Sequence, residues 1–349
     1  MKRAILAAFL CAVVLAIAAP PHGSSAAGFS GSGSGTAENP YIITTVEQLQ
    51  EMRNDLAAHY ALGNNIDASG TVNWNGGAGF EPVGTWDNEF TGSFDGRGYK
   101  IYDLHIDRSG TNYVGLFGCV GGVSVVENVG LESVNVVGSR YVGGLVGYNS
   151  GTVSNSYSTG SVSGNYLVGG LVGHNSYTVS DSYSTGSVTG IVNVGGLVGW
   201  HVGTVSNSYS TGPVSGSSFV GGLVGHNSGG TVSDSYSTGS VVGGDGGHVG
   251  GLVGYNFGIV SNSHSTGPVS CTSDVLPGGV GGLVGVNSGP VSNSYSTGPV
   301  TGSIATGGLV EINMKPNPGP DDTVFSISTP GGMSHLEATP LPKEETKAK

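Results

Sequence analysis

Residues 142–164 read VGGLVGYNSGTVSNSYSTGSVSG, and this phrase recurs until about residue 310. A weaker copy, Gly-Leu-Phe-Gly, is centred on Leu116. A fixed period of this length is typical of stacked repeat proteins and not of a globule with one central core. The central leucine marks each full copy, at Leu145, Leu171, Leu197, Leu223, Leu252, Leu283 and Leu309. The first three intervals between these leucines are 26 residues each.

The composition of the repeat excludes helices. The chain holds 66 Gly and 15 Pro, and no window of the array keeps the i, i+3, i+4 apolar spacing of a helix. Each unit has three short apolar runs, around Leu145, from Val153 to Ser158 and at Val162, separated by Gly or Asn, which accept the positive φ angles of corners. The sequence therefore predicts an all-β fold, a parallel β-helix (β-solenoid) with about 26 residues and three strands per coil.

The charge of the chain argues against anionic partners. Lys and Arg total 11 against 23 Asp and Glu, which gives a net charge of −12. No Lys or Arg lies between Arg140 and Lys315, so the array offers no basic patch. We expect no binding to nucleic acid or to an anionic membrane surface.

The two ends of the chain differ from the array. Residues 1–27 resemble a signal peptide, because Lys2 and Arg3 precede an apolar run that stops at Pro20, short of a membrane span. We predict a secreted or cell-surface protein without a transmembrane segment in the mature chain. Residues 28–35 form a Gly/Ser linker, and the Pro-rich residues 314–349 predict a mostly disordered tail with one strand near residues 323–328.

Residues 36–63 are predicted to form an N-terminal helical cap. Thr44 and Glu47 have the spacing of a capping box, and Val46, Leu49 and Met52 share one face of the helix that follows. A helix over the first coil would cover the open end of the core. The solenoid would then span residues 64–313, with regular repeats from about residue 113.

The segment FTGSFDGRGYKI (residues 90–101), followed by the Gly-Gly-Leu-Val-Gly-x-Asn and Asn-Ser-Tyr-Ser-Thr-Gly motifs, resembles the GLUG-motif repeat proteins of secreted and surface-displayed bacterial and archaeal chains. The resemblance spans roughly residues 36–312. It implies a right-handed parallel β-helix of the pectate-lyase-like kind and an adhesin-like or ancillary binding role, with no catalytic residues to carry over. The chain departs from the motif at Cys119, at Trp200-His201 and at Glu311.

One column of the repeat is aromatic. Val129 and Leu131 of an earlier coil align with Ser156 and Ser158, so strand alternation directs the serines inward and the residue between them outward. We predict an exposed face of rings and Thr hydroxyls suited to sugar or protein contact; a purely structural stack is the alternative. The candidate binding residues of this column are Tyr157, Tyr183, Tyr209, Tyr236 and Tyr295, with His264 in place of one ring.

A second column follows each Leu-Val-Gly and contains Tyr148, His174, Trp200 and His226. The two histidines are two coils apart, roughly 10 Å, too far to share a metal ion, so we expect no metal and no cofactor. This column is a second candidate surface for sugar stacking or partner contact. The alternative is a set of half-exposed corner residues.

Three further features complete the repeat. Two Asn columns, which begin at Asn149 and Asn155, are predicted to be structural turn ladders. Cys119 and Cys271 lie too many coils apart for a disulfide. Length variation is confined to one corner, where a specific partner would be expected to bind; tolerated drift of a loose corner is the alternative. This corner holds Arg140, Tyr141, Tyr166, Phe219, Asp245, His248 and Asp274.

These patterns favour a binding or structural function. Five acidic residues are scattered over different coils of the array, which does not suit the paired carboxylates of a glycosidase, so we expect no enzyme. The sequence predicts an adhesin-like module or a structural spacer, with an extracellular glycan or a host, matrix or cell-surface protein as partner. The alternatives are a carbohydrate-active β-helix of the lyase or glycosidase kind and an ice- or crystal-surface binder.

Overall fold

A computed structural model of the chain describes residues 28–326, except 245, 273–277, 303–305, 309 and 314–323. The predicted signal peptide and most of the predicted tail lie outside the described residues. Within them, every pair of hydrogen-bonded strands is parallel, and equivalent strands of successive repeats pair in register. The predicted all-β parallel solenoid is confirmed, and its handedness stays a prediction.

Each coil between Arg140 and Gly302 contains strands of four sheets, one more than predicted. One coil runs through Arg140–Gly143, Val146–Asn149, Thr152–Ser154 and Tyr157–Ser163, which belong to sheets 1, 2, 3 and 4 of this description. The extra strand arises because the chain turns within the Gly-Gly-Leu motif. A Cβ at Gly143 would lie 2.3 Å from the carbonyl oxygen of Val146, so only glycine allows this close approach.

Sheets 1 and 2 contain the strands on either side of the Gly-Gly-Leu turn. Among the described residues, sheet 1 has seven strands, Arg140–Gly143, Tyr166–Gly169, Val192–Gly195, Ser218–Gly221, Val249–Gly250, Val280–Gly281 and Thr306–Gly307. The eight strands of sheet 2 that the structure describes are Phe117–Val120, Val146–Asn149, Val172–Asn175, Val198–His201, Val224–Asn227, Val253–Asn256, Val284–Asn287 and Val310–Asn313.

Sheets 3 and 4 extend further toward the N-terminus. Sheet 3 contains Tyr41–Ile43, His59–Leu62, Ser93–Asp95, Val125–Glu127, Thr152–Ser154, Thr178–Ser180, Thr204–Ser206, Thr231–Ser233, Ile259–Ser261 and Val291–Ser292. Sheet 4 contains Ile66–Asp67, Lys100–Tyr102, His105–Asp107, Gly130–Val137, Tyr157–Ser163, Tyr183–Ser184, Ser187–Thr189, Tyr209–Ser210, Val214–Gly216, Tyr236–Ser237, Val241–Gly243, His264–Ser265, Val269–Cys271, Ser294–Ser296, Val300–Gly302 and Val324–Ser326. The last of these is the strand predicted near residues 323–328.

The N-terminal cap is a short helix. The α-helix Val46–Glu51 continues as the 3-10 helix Met52–Asn54, and Val46, Leu49 and Met52 are buried as predicted. The capping residue is Thr45 and not Thr44, because the side chain of Thr45 accepts the Gln48 N–H. A second 3-10 segment, Ser69–Gly77, lies farther along the chain.

The corners and the interior are built from files of identical residues. At one corner, the predicted Asn ladder adopts left-handed φ angles of 47° to 51° at Asn155, Asp181, Asn207, Asp234, Asn262 and Asn293. The other Asn file is buried at the ends of the sheet 2 strands, where each amide donates to the next coil. The Asn149 Nδ2 to Asn175 Oδ1 distance is 2.8 Å, and Asn256 bonds Asn287 at the same distance.

His201 interrupts this buried file. Its Nε2 lies 3.1 Å from the Thr231 carbonyl and must donate there, so its Nδ1 accepts from the amide of Asn175 at 3.2 Å. No donor remains on His201 for the side chain of Asn227 in the next coil, and Asn227 Oδ1 is buried without a hydrogen-bond partner. A buried polar atom in this state destabilises the fold.

Replacing His201→Asn should restore the ladder and raise the free energy of unfolding by about 1 kcal/mol. The gain is small because the imidazole also packs against Gly230. The reverse exchange, Asn256→His, should lower the free energy of unfolding by a similar amount, since it adds a second interruption to the buried Asn ladder. Urea unfolding of both variants checks this, and a less stable His201→Asn protein beside an unaffected Asn256→His protein would contradict it.

Candidate binding face

The first tyrosine column forms a stack on the outside of sheet 4. Ser156 and Ser158 are buried, as the alternation argument predicted, and the rings between them are half-exposed, with Tyr295 40% exposed. Ring centroids are 4.7 to 5.1 Å apart and the interplanar angles are 2° to 10° from Tyr157 through Tyr183, Tyr209, Tyr236 and His264 to Tyr295. Each ring therefore covers the face of its neighbour, and the ladder presents edges and hydroxyls to solvent.

The first ring of this ladder is fixed by polar groups of the preceding coils. The Tyr157 hydroxyl donates to the Glu132 carboxylate at 2.8 Å, and Lys100 pairs with the same carboxylate at 2.6 Å. Below the ring lies Gly130, where a Cβ would approach the ring to 2.4 Å. These contacts support the ladder as a structural element, the alternative that the sequence left open.

The second column lies on the strands of sheet 2 and not at a corner. Tyr148 pairs in register with His174, His174 with Trp200, Trp200 with His226, and His226 with Tyr255. Their rings are partly buried, and their mutual angles vary from 4° for Tyr148 and His174 to 61° for His226 and Tyr255. The packing of these rings is less regular than that of the ladder.

A neighbouring corner adds more rings to this column. Tyr113, Tyr141 and Phe219 adopt left-handed φ angles of 61°, 57° and 54°. Such angles are outliers for bulky residues and cost about 1–2 kcal/mol each. At this corner the ring of Tyr141 lies edge-on to Tyr148 at 6.1 Å, and Phe219 lies edge-on to Tyr255 at 5.5 Å.

The second column and these corner rings thus form one surface, which we call the aromatic face. Trp86 and Phe257, at its margins, are 52% and 50% exposed. Sequence reasoning missed Trp86, although Val83-Gly84 ahead of it is a degenerate Leu-Val-Gly signal. The aromatic face consists of Trp86, Tyr113, Tyr141, Tyr148, His174, Trp200, Phe219, His226, His248, Tyr255 and Phe257.

The histidines of this region are held neutral. Burial lowers the pKa of His174, His201 and His226 to about 4.

In the part of the chain that the structure describes, no three His, Cys, Asp or Glu side chains cluster closely enough to hold a metal ion. Cys119 and Cys271 are free thiols, as predicted.

Comparison with known proteins identifies the repeat. The GLUG motif matches residues 138–163, 164–189, 216–242 and 245–270, which confirms the resemblance for this part of the chain. Halomucin of Haloquadratum walsbyi is 41% identical over 137 residues, which are 38% of this chain and 2% of that protein. An Evansella cellulosilytica protein, provisionally described as a Gly-rich membrane protein, is 38% identical over 166 residues, which are 44% of this chain and 19% of that protein.

A solved structure has the same fold. It is the crystal structure of a Bacteroides ovatus protein provisionally assigned as an immunoglobulin A1 protease, with a TM-score of 0.54 over 81% of this chain and 86% of that one. At 22% identity this likeness shows the fold alone. The relatives by sequence are surface-type proteins by name, and among the residues described here no helix is long and apolar enough to cross a membrane.

The buried histidines predict acid sensitivity. The unfolded chain binds their protons below the ordinary pKa of 6.5, whereas the folded protein resists protonation until about pH 4. The free energy of unfolding should therefore fall by about 3 kcal/mol or more between pH 7 and pH 4.5.

Urea unfolding across this pH range measures the effect. The matched variant carries His174→Tyr, His201→Asn and His226→Tyr, residue types that other coils have in these columns. Its stability should change far less with pH. An equally steep decline in parent and variant would show that other groups cause the acid sensitivity.

Proposed function

We propose that this GLUG-repeat solenoid is a secreted or cell-surface, adhesin-like rod that binds an extracellular partner through the aromatic face. The observation that carries the proposal is the backbone strain under its rings. A corner at left-handed φ is most stable with Gly or Asn, and Asn193 occupies one such position at φ 58°. Tyr113, Tyr141 and Phe219 adopt the same angles at a cost, as does the buried Leu167 at φ 55°. The rings of the first three are partly exposed, which favours a role in contact with a partner.

The surface has the properties of a recognition site. Aromatic side chains supply large contact areas with little loss of conformational entropy, and they dominate the binding energy of many interfaces. Val202, 43% exposed, follows the sheet 2 strand Val198–His201 and adds exposed apolar surface there. Arg140, placed 5.6 Å from the ring centroids of Tyr141 and Tyr166, adds the one cation of the array.

The tyrosine ladder has a different role in this proposal. Because its ring faces are covered by neighbouring rings, it cannot stack a sugar ring along most of its length. We assign it to stiffening of sheet 4. Of the residues singled out from sequence, Tyr148, His174, Trp200 and His226 are therefore retained as binding residues.

The names of the sequence relatives support the location and the non-enzymatic role. Halomucin and the Gly-rich membrane protein are surface-type proteins by name, and neither is named as an enzyme. Each contains far more chain than the matched region. A repeat array of this kind can present its side face as part of a longer surface assembly.

A binding screen with the full chain tests the proposal. Purified protein is applied to arrays of extracellular glycans and matrix proteins beside two double variants. The first, Tyr148→Ser with Trp200→Ser, removes two rings from the aromatic face. The matched control, Tyr183→Ser with Tyr209→Ser, removes two rings from the ladder, so the two variants separate loss of binding from loss of stability.

The first variant should lose at least about tenfold in affinity for whatever the parent binds, since hot-spot aromatics contribute about 2 kcal/mol or more. The ladder variant should melt at a lower temperature and bind within about threefold of the parent. Retained binding by the first variant, or loss only in the ladder variant, would refute the aromatic face. Failure of the parent to bind any array component would favour a spacer.

A further inference from the structure

An insertion interrupts sheet 2 at the N-terminal end of the aromatic face. Val83 forms a parallel β-bridge with Phe117, and Phe90 forms one with Val120. The two bridges are seven residues apart on the first coil and three residues apart on the next, so the first coil has four extra residues. The four extra residues form a tight hairpin in which Thr85 and Asn88 bond each other's backbone. Trp86 and Asp87 lie at its tip, in line with the second column of the repeat.

The hairpin projects Trp86 onto the end of an aromatic stack. The indole lies 5.6 Å from Tyr113 with an interplanar angle of 19°, and Tyr113 in turn stacks on Tyr141 at 4.6 Å and 5°. Tyr148 contacts the indole edge-on at 5.1 Å. These rings support Trp86 from one side, yet 52% of its surface is exposed.

The exposed part of Trp86 borders a cleft of about 480 Å³, within the usual size of small-ligand sites. The opposite wall is the turn after the cap helix, residues 53–57. The Leu56 carbonyl, which accepts the Thr91 and Gly92 N–H groups at 2.8 and 2.9 Å, holds the two walls together. The cap therefore forms part of a site besides covering the core.

Acidic side chains predominate around the indole. Asp55, Asp87 and Glu89 line the cleft with Asn54 and Asn88, and its one guanidinium, Arg53, pairs with Glu81. Carboxylates accept hydrogen bonds from hydroxyl or ammonium donors and repel anions. The Trp86 indole offers a flat apolar surface with hydrogen-bond acceptors around it. This arrangement suits a sugar ring that has one apolar CH face and hydroxyl groups at its edge.

We infer that this cleft is a saccharide subsite that binds a neutral or amino-bearing pyranose, with one sugar face on Trp86 and hydroxyls donated to Asp55, Asp87 and Glu89. The inference rests on the proposed binding role of the aromatic face and extends it. Longer glycans would continue from the cleft along Tyr148, His174 and Trp200. The negative rim excludes uronic-acid chains.

Calorimetry and tryptophan fluorescence with trisaccharides test the site in the full chain. The probes are β-1,4-linked trimers of glucose, N-acetylglucosamine and glucosamine, a trimer of galacturonic acid, and tetramethylammonium. Trp86→Ala should weaken binding of a neutral or amino trimer at least tenfold, and Asp87→Asn about threefold or more. The matched control is Tyr177→Ala, which removes a ring that is 55% exposed and lies outside both the aromatic face and the tyrosine ladder. Tyr177 follows the sheet 2 strand Val172–Asn175, three coils or about 14 Å from Trp86, and its loss should leave trimer binding unchanged.

Folding is not at issue for Trp86→Ala, because the side chain is half-exposed; an unchanged melting temperature verifies this. Unaltered trimer binding by Trp86→Ala, a preference for the galacturonic acid trimer, binding of tetramethylammonium alone, cleavage of a trimer, or no trimer bound would each overturn the inference. If long glycans or proteins on the arrays still depend on Tyr148 and Trp200 while the trimers fail, the aromatic face stands and only the cleft is rejected.

Discussion

The backbone hydrogen bonds between coils constrain everything else in this protein. Parallel pairing fixes successive coils about 4.8 Å apart and places each residue above its equivalent in the previous repeat. A side chain that suits this spacing can therefore be copied along the rod. Val153, Val179, Val205 and Val232 fill the interior in this way, and Asn149 and Asn175 bond amide to amide. His201 shows the consequence of one mismatched member, because its neighbour Asn227 is left with an unpartnered oxygen.

The same spacing produces two different aromatic surfaces. On sheet 4 identical tyrosines repeat in parallel planes, so the rings bury one another's faces and the surface is closed to stacking ligands. On sheet 2 the column alternates tyrosine, histidine and tryptophan, and strained corner rings such as Tyr141 and Phe219 contact it edge-on. The variable column, and not the uniform one, is consequently the better candidate for recognition.

The sequence predicted those features that depend on the period. The repeat length, the outward tyrosines, the turn at Asn155 and the burial of Val46, Leu49 and Met52 all follow from spacing and alternation, and the structure agrees. The fourth strand per coil was missed because the Gly-Gly-Leu turn lies inside one apolar run. Trp86 was missed because a four-residue insertion displaces it from the period. The ring contact between Tyr141 and Tyr148 depends on the left-handed φ of Tyr141, a conformation that tyrosine rarely adopts. Neither composition nor spacing indicates such a conformation.

Cysteine pairs on sheet 3 test the coil register most directly. Thr178 and Thr204 are register partners one coil apart and 26 residues apart in sequence, and Thr231 is the next partner. In a Cys271→Ser background, Thr178→Cys with Thr204→Cys should form a disulfide on mild oxidation, since the Cα atoms lie about 4.8 Å apart. Thr178→Cys with Thr231→Cys spans two coils, about 10 Å, and should stay reduced. Equal disulfide formation by both pairs, or none by the first, would contradict the in-register stacking on which both surfaces depend.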